Sequence, residues 1–151
     1  MSRRIVRRAL AVALLAAGCG QEDRAQPAAA ARSGLAADQQ DAELLGREIF
    51  ELVDRAIDFR GSHRGRPAGS LSQMGIDSLT PTTARWLVNL AREPVVTAKY
   101  RRAEDRSIIS CRGDSQILEE AAINGGRFTL MCTTRSGTQR PIRIADPAQG
   151  H

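Results

Sequence analysis

Asp41-Ala42-Glu43-Leu44-Leu45-Gly46-Arg47-Glu48-Ile49-Phe50-Glu51-Leu52-Val53-Asp54-Arg55-Ala56-Ile57-Asp58-Phe59 is the stretch that decides the fold. Leu45, Ile49, Leu52, Ala56 and Phe59 recur at steps of four, three, four and three, the period of a single helix face. Phe50, Val53 and Ile57 widen that stripe beyond a coiled-coil seam, so the helix is expected to lie on a globular core. Asp41 is the expected N-cap, with Glu43 beside the positive end of the helix dipole. Glu51 and Arg55 form an i,i+4 pair on the outer side, and Gly61 is the expected stop. A stripe of this kind can also dock a partner helix, but amphipathic helices usually gain their stability inside their own domain.

Downstream the period shortens. After Pro94, strands are expected over 95–101, 107–112, 116–120, 127–133 and 141–145. Phe128, Leu130 and Cys132 alternate and should face the core. Asn124-Gly125-Gly126 is a hairpin signal, since positive φ is inexpensive there, and Arg112-Gly113-Asp114-Ser115 reads as a second tight turn. Between long helix and sheet, Ser70 to Met74 suggests one helical turn. Thr80-Pro81 reads as N-cap and N1 proline of a helix reaching Arg92, with Ala84, Leu87, Val88 and Ala91 inward and Trp86 beside that face.

The segment Arg60-Gly61-Ser62-His63-Arg64-Gly65-Arg66-Pro67 is basic and punctuated by glycine. Its functional reading is an anion or partner site built on Arg60, His63, Arg64 and Arg66, with Trp86, which reads first as partial core, as a platform in the alternative. Its plain reading is a solvated connection in an arginine-rich chain.

Upstream, Arg3, Arg4, Arg7 and Arg8 form a basic head before the apolar run Ala9 to Ala17, and Leu15-Ala16-Ala17-Gly18-Cys19 follows. This arrangement resembles a bacterial lipoprotein signal peptide with its lipobox. The run is about half the roughly 20 residues that span a bilayer, as a processed signal requires. The resemblance implies removal of residues 1–18, acylation of Cys19, and a palmitate-bearing protein held on a membrane by more than one chain. Gly20 stands where an aspartate would signal inner-membrane retention, which points to the outer membrane, on its periplasmic face or at the surface. An ordinary secretory signal with an unrelated cysteine is the alternative. Residues 20–37, rich in alanine, glutamine and glycine and lacking apolar periodicity, then read as a flexible tether whose alanines could become transiently helical.

With Cys19 assigned to lipid, Cys111 and Cys132 remain. A pair in an exported domain reads as a disulfide, with two buried thiols as the alternative. Only His63 and His151 exist, neither near the cysteines in sequence, so no metal and no cofactor is expected. The formal charge of +5 also changes meaning: without the four signal arginines, 18 basic side chains face 17 acidic ones. That balance argues against a nucleic-acid partner.

The search for chemistry finds no Gly-x-Ser-x-Gly elbow, phosphate loop or dinucleotide fingerprint. His63 sits in a loop, Glu104-Asp105 and Glu119-Glu120 are neighbouring charges, and Asp54 with Asp58 share a solvent face. No catalytic residue is expected, and the chain reads as a non-enzyme.

A long N-terminal helix, a loop containing Pro67, Leu71 and Gly75, and then an antiparallel sheet together resemble the soluble part of type IV pilins and pseudopilins. The prepilin cleavage motif and the long apolar helix of filament pilins are missing, so the resemblance concerns fold and not filament assembly. An unrelated α+β sandwich fits the same element order.

The expected protein is therefore α+β: a long N-terminal amphipathic helix plus one or two short helices on an antiparallel sheet of four to five strands. Its expected organisation is signal 1–18, lipidated cysteine and tether 19–40, one domain over 41–146 and a disordered tail 147–151. Its expected role is protein binding or scaffolding in the cell envelope. The alternative is binding of a cell-wall or surface polysaccharide through the arginine loop, and a small hydrolase ranks last.

Overall fold

The computed structural model describes residues 25–145. The signal segment 1–18, Cys19 and the tail 147–151 lie outside the described residues. Two helices and a five-stranded antiparallel sheet make an α+β domain. Helix α1 covers Ala25–Ser62, a short 3-10 turn covers Ser72–Met74, and helix α2 covers Gln116–Ile123. The strands are β1 (Arg85–Asn89), β2 (Val95–Arg101), β3 (Ile108–Asp114), β4 (Phe128–Thr133) and β5 (Gln139–Ile144), paired in chain order.

The helix stripe performs as its spacing predicts. Leu45, Ile49, Leu52 and Val53 are fully buried, and Phe50 and Ile57 pack at the margin. They meet the inward parity of the strands: Val96 and Ala98, Ile109 and Cys111, Phe128 and Leu130, Ile142 and Ile144. The rings of Phe50 and Phe128 lie 5.1 Å apart at 30°. Gly113 lets the helix approach β3, since a Cβ there would stand 2.5 Å from Cγ2 of Ile49. A second cluster of Ala56, Ala68 and Met74, closed by Phe59, Leu71, Ile76 and Leu90, packs under the connection to β1.

Cys111 and Cys132 are direct cross-strand partners with Cα atoms 4.1 Å apart, and they form a disulfide. Both are fully buried. Strands β3 and β4 are in register at only three positions, Ser110 with Thr133, Cys111 with Cys132 and Arg112 with Met131.

Four expectations are corrected. First, α1 begins at Ala25, so the expected tether over 19–40 overlaps a helix of 38 residues. Alanine is the strongest helix former, and four alanines in a row follow Pro27. Asp41 is consequently not an N-cap. It sits inside the helix, where its carboxylate pairs with Arg102 from the β2–β3 connection.

Second, the segment after Thr80-Pro81 is a strand. Strand parity puts Trp86 and Val88 inward and leaves Leu87 57% exposed. Helical spacing would have placed Leu87 and Val88 together, but pairing of Arg85–Asn89 with Val95–Lys99 prevails. Third, residues 116–120 belong to α2. Ile117 and Ala121, one helical turn apart, are buried, and the Asp114 carboxylate accepts the Gln116 N–H at 3.2 Å. Strand β3 then runs through Arg112-Gly113-Asp114, so that sequence is not a turn.

Fourth, Asn124-Gly125-Gly126 ends a helix and does not link two strands. Gly125 (φ 62°) and Gly126 (φ 84°) reverse the chain, and the Gly126 N–H donates to the Ala121 carbonyl at 2.8 Å. Glu120 then braces α2 on β4. Its carboxylate accepts the Thr129 N–H at 2.9 Å and the Thr129 hydroxyl at 2.7 Å.

Candidate functional site

Because α1 covers one face of the sheet only, strand parity decides what the other face displays. Cross-strand rows can be read from the registers. One row runs Leu87, Thr97, Arg112, Met131, Pro141, and the next runs Arg85, Lys99, Ser110, Thr133, Gln139. Arg101 and Arg143 stand on the same side. Arg85, Lys99, Arg101, Arg112 and Arg143 are all exposed.

Electrostatics separates these cations from the rest of the chain's arginines. Arg102 clamps Asp41 through two contacts of 2.6 and 3.1 Å and donates to the Ala37 carbonyl. Arg135 meets Asp38 at 2.9 Å and Asp105 at 3.0 Å, and Arg140 lies 3.7 Å from Asp38. Arg55 pairs with Glu51 at 2.6 Å and donates to the Met74 carbonyl at 3.2 Å. Among the described residues, no ion pair involves Arg85, Lys99, Arg101, Arg112 or Arg143. Lys99 even stands directly opposite Arg85, an arrangement that costs stability.

Three groups are shifted by their surroundings. The hydrogen bond to Asp41 raises Arg102 above the ordinary guanidinium value. The Ser107 hydroxyl and N–H hold the Asp105 carboxyl below its usual range. Burial, with Asp58 nearby, raises Asp54.

The open face carries two shallow depressions. One, of about 450 Å³, is lined by Leu87, Val88, Asn89, Val95, Thr97 and Arg112. The other, of about 290 Å³, is lined by Thr83, Arg85, Lys99, Arg101 and Ile108. A third, of about 300 Å³, lies between α1 and the 75–80 segment and holds Glu48, Glu51 and Asp77. Its polar groups are partly committed, since Thr80 donates to Glu48 at 2.8 Å and Arg55 to Glu51. Among the described residues no group of His, Cys, Asp and Glu could hold a metal ion, and no helix is long and apolar enough to cross a membrane.

The residues singled out by sequence are not assembled into one site. Arg60 closes α1, and His63, Arg64 and Arg66 follow on an exposed turn. The His63 ring stacks on Phe59 at 3.7 Å and 8°, and Nδ1 lies 2.7 Å from the Phe59 carbonyl. Trp86 belongs to β1, packs on the main core and donates Nε1–H to the Pro81 carbonyl at 3.3 Å. It is therefore core and not a platform for the loop. Sequence reasoning missed the open-face cations, because Arg85 falls on that face only once β1 is recognised as a strand. Comparison with protein-family models, curated proteins and solved structures finds no match.

Proposed function

We propose that the chain is an exported, lipid-anchored, non-enzymatic component of the cell envelope that docks a protein partner on the open face of its sheet. The single observation that carries this reading is the set of exposed cations on that face, none of them in an ion pair among the described residues, beside Leu87 and Met131. A folding domain gains nothing from opposing Arg85 to Lys99, so a surface that keeps them together is better explained by what binds there. The address rests on the lipobox-like Leu15 to Cys19, with the outer membrane favoured by Gly20. Kinship with type IV pilin-like domains stays part of the proposal, supported by the order of a long helix and then an antiparallel sheet.

Two experiments test it. Cys19→Ser should abolish acyl labelling and release the protein in soluble form, whereas retention with normal labelling rules the anchor out. Mild crosslinking in producing cells should recover a protein partner from the wild type and lose it when Arg85, Lys99, Arg101 and Arg112 are changed to glutamate.

A second reading keeps the arginine loop as a site for a cell-wall polymer. It is favoured by Arg64 and Arg66, both exposed and outside every ion pair among the described residues. Pelleting with purified peptidoglycan that is salt-sensitive and weakened by Arg64→Ala with Arg66→Ala supports it. Pelleting unchanged by both eliminates it.

A further inference from the structure

We propose that the open sheet face takes an acidic, extended protein segment, with carboxylates seated at Arg85, Lys99 and Arg101 and an apolar side chain seated beside Leu87 and Val95. This inference rests on the docking reading above and names the chemistry of the partner.

The two depressions differ in kind. The smaller gathers Arg85, Lys99 and Arg101, three cations with no carboxylate among their lining partners. The larger has the side chains of Leu87 and Val95 on its walls and Arg112 at its side. Both lie along β2, one centred near Val95 and Thr97 and the other near Lys99 and Arg101. Lys99 lies four residues along the strand from Val95, a distance of about 14 Å at about 3.4 Å per residue. An extended segment laid along β2 therefore reaches both with side chains about four residues apart.

Charge fixes the sign of the occupant. Across the strands, Lys99 faces Arg85 and Ser110, Arg101 faces Ile108, and Arg112 faces Thr97 and Met131. No cross-strand partner of these cations is acidic. The only carboxylate within the registered strands is that of Asp114, which accepts the Gln116 N–H. Guanidinium forks match carboxylates in two-point geometry, so a segment carrying glutamate or aspartate would supply what the face lacks. The apolar walls favour a protein over a plain polyanion, because a polysaccharide or polyphosphate has no side chain to place against Leu87 and Val95. A bilayer presents headgroups with no fixed spacing and would not distinguish the two depressions.

The test uses the full chain carrying Cys19→Ser and a pair of synthetic peptides made in both chain directions. Each has two glutamates near one end, a leucine four residues away, and serine or threonine elsewhere. Titration followed by fluorescence of the labelled peptide should show binding that weakens as salt rises. Replacing the glutamates by glutamine should weaken it at least tenfold, and replacing leucine by alanine severalfold. The triple variant Arg85→Gln, Lys99→Gln and Arg101→Gln should lose at least tenfold while melting no lower than the parent, since it relieves the Arg85–Lys99 opposition. Equal binding by parent and triple variant overturns the proposal. So does equal or tighter binding of phosphatidylglycerol vesicles or hyaluronate, measured on the same pair of proteins.

A photo-crosslinking amino acid at Thr97 in producing cells separates docking of a protein from the acidic chemistry of its segment. A protein crosslink with failed peptide binding overturns the acidic-segment chemistry and leaves the docking surface standing. No crosslink to any protein overturns both.

Discussion

Asp41 and Arg102 form a partly buried two-point ion pair, 2.6 and 3.1 Å, between the middle of α1 and the connection after β2. The Asp41 side chain is 8% exposed and that of Arg102 17%. Arg135 approaches the same carboxylate at 3.7 Å while holding Asp38 at 2.9 Å. The Gln39 amide adds a bond to the Arg143 carbonyl at 2.7 Å. One helical turn of α1 is thus bound to the two loops at one end of the sheet.

Removing one partner of such a pair strands the other in a poorly hydrated place. Asp41→Ala should cost about 1.5–3 kcal/mol in denaturant unfolding, the scale of a hydrogen bond between charged groups. Asp41→Ala with Arg102→Ala should cost less than the two single changes added together, as expected for groups in direct contact. Additive losses would show that the pair contributes no coupling.

The Asp105 carboxyl is held low because the Ser107 hydroxyl and N–H both donate to it, at 2.5 and 2.9 Å. A folded value below the unfolded one means stability that is complete above about pH 4 and lost as pH falls through the folded value. The melting temperature of wild type should therefore decline more steeply from pH 4 to pH 2 than that of Asp105→Asn. Parallel curves would contradict the assignment.

Asp54 runs the opposite way. Burial and the Asp58 charge raise it, so folding favours its protonated form. Its sign is that stability is highest below the unfolded value near pH 4 and falls as pH rises through the folded one. Asp54→Asn should stabilise the domain at pH 7 by a few tenths of a kcal/mol, the scale of a like-charge pair on a helix. The gain should vanish in melts at pH 3.

Two glycines should respond with opposite signs to alanine. At Gly113 a Cβ would collide with Ile49 at 2.5 Å and approach Ile117 and Leu130 at 3.1 and 3.2 Å. Overpacking of that kind costs about 1–3 kcal/mol. At Gly61, inside α1, nothing lies within 4 Å, and alanine should add about 0.5–1 kcal/mol. Thermal melts of both variants check the pair together.

The parts legible in the sequence were those with one period and one face. The stripe from Leu45 to Phe59 and the alternation of Phe128, Leu130 and Cys132 each had a single solution, and the structure has it. The i,i+4 pair of Glu51 and Arg55 was equally plain. Arg85 to Asn89 was less so, because Trp86, Leu87 and Val88 are three consecutive apolar residues that fit either period. Its partner strand, ten residues further on, decided between them. Residues 116–120 failed for a related reason: Ile117 and Leu118 suggest a strand, while Ala121, which completes the helical face, lies just beyond the window.

The start of α1 was hidden differently. Asp38 and Asp41 have no apolar period to announce them, and the arginines that bury them lie 61 and 97 residues away in sequence. The open face was hidden by the same long-range dependence. Lys99 and Arg101 alternate visibly along β2, but Arg85 and Arg112 join them only through the registers with β1 and β3.

The wedge of α2, with Glu120 holding the Thr129 N–H, leaves three residue pairs between β3 and β4, and the disulfide is the middle one. The five-stranded sheet is thus narrowest between two ribbons, β1-β2-β3 and β4-β5, which three residue pairs and the disulfide join and α1 covers. Reduction would not unravel either ribbon, whose internal ladders are intact. It would loosen the hinge line between them, so the first amides to exchange in the reduced protein should be those of Ser110 to Arg112 and Met131 to Thr133, ahead of the strand interiors. The oxidised cysteine pair thus holds the sheet at its shortest ladder, the three pairs between β3 and β4.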